Sequence, residues 1–129
     1  MRNREFYQGV FIVAAWYDFI LGAAFFLFYP SIYALFTVQL PENPGYLHLA
    51  AAFVFVQGIG YYFVYRNMER NFDIVKIGAI YKAAYTAVAF YYWAVGQLPH
   101  PLFAAFGAID LIFLLLFVLY LRGATAAKA

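Results

Sequence analysis

Residues 7–29 read YQGVFIVAAWYDFILGAAFFLFY, an apolar run broken by a single charged side chain, Asp18. A helix needs about 20 predominantly apolar residues to cross the hydrocarbon core of a bilayer. This run meets that length and is apolar on every side. Membrane strands are shorter and alternate in polarity, at about ten residues each. In lipid the backbone must also satisfy its own hydrogen bonds, which a lone segment does only as a helix. The stretch therefore predicts a membrane-spanning helix.

Working outward, residues 45–65, 73–95 and 101–121 have the same character. The expected fold is all-α, a four-helix transmembrane bundle forming one domain over residues 1–129. The five prolines (Pro30, Pro41, Pro44, Pro99 and Pro101) fall between these spans or at a first turn, so none is expected to interrupt a helix. The apolar stretch 31–38, between Pro30 and Pro41, predicts a short helix lying on the outer surface. The N-terminal run is too long and lacks the small-residue site of a cleavable signal, so it reads as a retained first helix.

Composition agrees. Hydrophobic residues make up 67% of the chain and charged residues 11%. Soluble domains carry about 25% charged residues, so this chain has too few to cover a wet surface. A net charge of +2 does not suggest nucleic acid. Cysteine is absent, which excludes disulfides and thiolate chemistry. Seven of the eight Lys and Arg sit in the N-terminal tail (Arg2, Arg4), around the middle connection (Arg66, Arg70, Lys76) or in the C-terminal tail (Arg122, Lys128). The other two connections have none. The positive-inside rule then predicts that both termini and the middle connection are cytoplasmic.

The eighth basic residue, Lys82, lies within the third span, near its middle. Asp18, Gln57 and Asp110 hold comparable depths in the other three. Three unpaired charges at mid-membrane would cost roughly 8–10 kcal/mol on the insertion scale, so they are expected to meet one another. Small residues share two of the faces, Ala14 and Gly22 with Asp18 and Gly78 and Thr86 with Lys82; Gln57 shares its face with Gly60 and Tyr61, and Asp110 with Gly107 and Leu114. Such spacing marks close helix contacts. The expected site is a buried cluster with Lys82 between Asp18 and Asp110, and Gln57 nearby. It has two acids and one base. One acid then keeps a proton, or a ligand or ion supplies the missing positive charge. The cluster can thus bind or pass a proton, a cation or a small polar ligand. The alternative is interhelical glue in an accessory subunit of a larger membrane complex.

Other signals are weaker. Most of the tyrosines and tryptophans read as interfacial belts. His48 and His100 lie near one surface and could hold a haem or metal between them, but no further ligand is at hand. Asn71 or Asp73 is expected to cap the third helix. Gly58 and Gly60 read as a close-packing pair. No nucleophile, metal set or cofactor motif is present, so an enzyme is not expected and no cofactor is assigned. The expected partners are the lipid bilayer, a homo-oligomer or larger complex, and a small-molecule ligand.

The spacing of the four spans, the run YDFILG at residues 17–22 and the run IGAIYK at residues 77–82 resemble the DoxX-like group of small bacterial four-helix membrane proteins. The resemblance implies a multi-pass protein of the bacterial cytoplasmic (inner) membrane. Some members resemble subunits of quinone-linked oxidoreductases. No functional residue is transferred from it.

Overall fold

The computed structural model describes residues 2–98 and 100–128. Among these are four helices, α1 (Arg2–Leu35), α2 (Gly45–Arg66), α3 (Phe72–Ala94) and α4 (Pro101–Lys128), and no strand. Pro99 lies outside the described residues. Three segments are long and apolar enough to cross a membrane: Arg4–Leu35, Gly45–Arg66 and Pro101–Ala124. Helix α3 has the length, at 23 residues. Its composition falls short because Asp73, Lys76, Lys82 and four tyrosines lower its mean hydropathy. The surface carries many large apolar side chains, including Val13, Trp16, Ile20, Leu27, Val56 and Leu115. A soluble monomer seldom exposes so much contiguous apolar surface.

Two helices run further than their apolar stretches. Helix α1 continues to Leu35 across a kink at Phe28, where φ is −126° and ψ is 23°. Pro30 therefore lies inside this element, contrary to the expectation that no proline would. The bend at Phe28 lets the helix restart with Pro30 in its first turn, where a missing N–H costs nothing. Of the short helix expected at 31–38, residues 31–35 are helical and belong to this second segment of α1. It ends in a Schellman turn in which the Val38 N–H donates to Tyr33 O at 2.8 Å and the Thr37 N–H to Ala34 O at 3.2 Å. Thr37 holds a φ of +54° there, in the left-handed region. Glycine fills the matching position after α3, where Gly96 has a φ of +74°. Left-handed backbone costs an L-residue about 1–2 kcal/mol. Replacing Thr37 by glycine is thus expected to stabilise the chain by about 1 kcal/mol in a chemical-unfolding titration.

The tightest pairings are α1 with α2 and α3 with α4. Two glycines set the first. A methyl group at Gly22 would fall 2.5 Å from Phe55 N, and one at Gly58 would fall 2.6 Å from Phe19 N. Each helix thus rests a glycine on the other's backbone, which is how membrane helices gain contact without a hydrophobic driving force between them. One end of the bundle is packed around Phe11, Tyr61, Val64, Val75 and Phe117, all fully buried.

That end also gathers the basic residues. Arg4 pairs with Glu69 of the α2–α3 turn, and the Gln8 side chain donates to Tyr65 O at 3.2 Å. The N-terminus and the arginine-bearing turn therefore share one end. Tyr120 joins them from α4, its ring 5.3 Å from Tyr7 and 6.3 Å from Phe72. Asn71 occupies the N-cap position of α3 but its side chain does not cap that helix. It donates instead to Phe63 O and Asn67 O, at 2.9 Å each, and closes the carbonyl end of α2. Asp73 pairs with Lys76 one turn on. The orphan carbonyls of α2 win the Asn71 amide because an amide can donate and the carbonyls can only accept.

Candidate functional site

Three helices converge on one ammonium group. Lys82 Nζ of α3 lies 2.8 Å from Asp110 Oδ1 of α4, and 3.4 and 3.3 Å from the two carboxylate oxygens of Asp18 on α1. The exposures of Asp18, Lys82 and Asp110 are 1%, 0% and 5%. The lysine therefore donates to both acids, and the trio is almost fully buried. Gln57 is half-buried and has no side-chain hydrogen bond to the trio among the described residues. The structure thus brings three of the four expected residues into contact.

Sequence reasoning missed the walls. Four rings surround the ammonium, with centroids at 5.2 Å for Phe113, 5.4 Å for Tyr61, 5.6 Å for Tyr81 and 5.8 Å for Tyr17. Desolvated cation–π contacts are worth about 2 kcal/mol or more in favourable cases. They offset part of the cost of stripping water from Lys82. The signal was available in position: Tyr17 and Tyr81 adjoin Asp18 and Lys82, and Phe113 is one turn from Asp110. Tyr61 sits against the trio because Gly78 leaves room for it; a methyl at Gly78 would lie 2.6 Å from the ring. The Tyr17 and Tyr61 hydroxyls are buried and have no hydrogen-bond partner among the described residues.

Local packing holds the trio in register. Thr86 Oγ1, one turn beyond Lys82, donates to Gly107 O at 3.3 Å. Gly107 in turn lets Ala89 approach, with 3.3 Å left for a methyl group. These contacts clamp α3 to α4 beside Lys82 and Asp110. The two histidines make contacts of their own. His48 packs against Phe26 and Tyr29 at 4.8 and 5.2 Å. His100 accepts the Leu102 N–H at Nδ1 over 2.9 Å and so caps α4.

No protein-family model, curated protein or solved structure matches this chain. The trio is therefore interpreted from its own chemistry. Two carboxylates against one ammonium carry a formal excess of one negative charge. In so dry a setting that charge is costly, and a single proton or monovalent cation cancels it.

Proposed function

We propose that this protein is a four-span membrane bundle whose Asp18–Lys82–Asp110 trio holds one exchangeable proton, a role that a monovalent cation can take over. The observation that carries the proposal is the uneven count: two acids and one base in mutual contact, all but inaccessible to water. Simple glue would need no odd charge, since one Asn or Gln joins helices at lower cost. The buried hydroxyls of Tyr17 and Tyr61 support the reading, because each can accept and donate a hydrogen bond beside the trio.

In this reading α3 also spans. Its deepest charge, Lys82, is turned wholly inward, so lipid meets Ile77, Ile80 and Val88 instead. The arginine-bearing end faces the cytoplasm, with both termini there. The layout shared with DoxX-like proteins supports a bacterial cytoplasmic membrane as the location. The chain has no cysteine, so a single introduced thiol reports without background. Asn43→Cys is expected to react with an impermeant maleimide on intact cells, and Asn67→Cys only after permeabilisation. The reverse pattern would invert the topology.

Infrared spectroscopy tests the proton directly. The wild type is expected to show the C=O stretch of a buried protonated carboxyl. Asp18→Asn or Asp110→Asn should remove it. If no such band appears at any pH where the protein stays folded, and no monovalent cation raises its melting temperature, the trio is interhelical glue. A co-extracted membrane chain in that case would favour the accessory-subunit role.

A further inference from the structure

The half of the bundle away from the arginine-bearing turn is tight at Gly22 and Gly107 but holds an opening between these contacts. A cavity of about 220 Å³ opens there between all four helices. Its lining includes Gly22, Tyr85 and Phe106, which lie four, three and four residues from Asp18, Lys82 and Asp110. One helical turn therefore separates the cavity from the trio on three helices at once. Four aromatic rings on its wall touch one another: Phe25 stands 6.4 Å from Tyr33, 6.2 Å from Phe103 and 6.0 Å from Phe106, and Tyr33 stands 6.4 Å from Phe103. We infer that this cavity binds a small organic monocation of the quaternary-ammonium kind, which replaces the proton as the charge that balances the trio.

Each part of that ligand answers a feature of the site. The positive charge answers the excess carboxylate one turn below. The aromatic lining answers a weakly hydrated cation, as aromatic cages do for choline-type ammonium groups. The apolar walls answer the alkyl groups, and a metal ion would find no ligand set there. The approach carries no repulsion either. Residues 83–109 contain no Lys, Arg, Asp or Glu, and the only such residue in 29–65 is the acidic Glu42. This inference rests on the uneven charge of the trio, so the test separates the two.

Choline and its uncharged isostere 3,3-dimethylbutan-1-ol are titrated calorimetrically into the detergent-purified full chain. The wild type is expected to prefer choline at least ten-fold, and choline should also abolish the carboxyl infrared band. Asp110→Asn should erase the preference, and Phe103→Leu should weaken it. Val54→Phe, which fills the cavity without touching the trio, should abolish binding of both compounds. No choline binding, equal binding of the two compounds, or binding untouched by Val54→Phe would each overturn the inference. Asp110→Asn losing the carboxyl band while keeping the choline preference would also overturn it, yet would leave the proton site standing. In phosphatidylcholine nanodiscs the choline affinity should persist; its loss there would overturn a free ligand and assign the cavity to a lipid headgroup.

Discussion

Replacing Lys82 by methionine is expected to destabilise the protein by about 3–5 kcal/mol, the usual result of removing one partner from a buried ionic group. Methionine matches the aliphatic stem, so the loss is of charge and not of volume. It strands Asp18 and Asp110, at 1% and 5% exposure, with no counter-charge in contact. It also leaves four rings facing a thioether where they had faced an ammonium. The informative partner is the neutral variant Lys82→Met/Asp18→Asn/Asp110→Asn. Replacing a whole buried ionic group by neutral residues of similar shape is often neutral or stabilising. The triple variant should therefore recover most of the lost stability in a denaturant titration, yet show no carboxyl infrared band. Stability regained with proton binding lost would mean that the charges serve function. A triple variant no more stable than Lys82→Met would mean that they serve the fold.

How far the sequence could be read follows from the kind of signal each feature leaves. The helices were legible because lipid demands long apolar runs, and their number and order came directly from composition. The trio was legible because charge inside a long apolar run is too costly to leave unpaired. Its members could be named before any contact was known. The aromatic box was not, since a tyrosine beside Lys82 and a tyrosine in an interfacial belt look alike in one dimension. Only packing tells Tyr61, fully buried, from Tyr46, 82% exposed. Gln57 shows the reverse failure. Its depth matched the trio, but depth along a helix fixes only one of the two coordinates that a contact needs. Pro30 was misplaced for a similar reason: a break in the apolar pattern marks where a helix can bend, and whether it stops there depends on a backbone angle at Phe28.

The second large effect is expected at Gly58. Its missing side chain admits the backbone of α1, with Phe19 N at 2.6 Å, Ala15 O at 2.8 Å and Phe19 Cα at 2.9 Å from where a methyl would stand. All three are backbone atoms, so none can rotate away. Overpacking normally costs about 1–3 kcal/mol and sometimes more. Gly58→Leu should reach about 3 kcal/mol, because the two helices must separate. Gly9→Ala and Gly123→Ala are the controls. Both have open space and lie in helices, so each should gain about 0.5–1 kcal/mol. The wedge at Gly58 also has a direction. It presses on Phe19, the neighbour of Asp18, and so moves one acid of the trio. The Lys82–Asp110 contact at 2.8 Å lies between α3 and α4 and should persist, whereas Lys82–Asp18 starts at 3.3 Å and has little reach to spare. The milder Gly58→Ala should therefore shift the carboxyl infrared band while the protein stays folded. An unshifted band with stability lost would mean that α1 adapts elsewhere and that Asp18 is held by α3, not by its packing on α2.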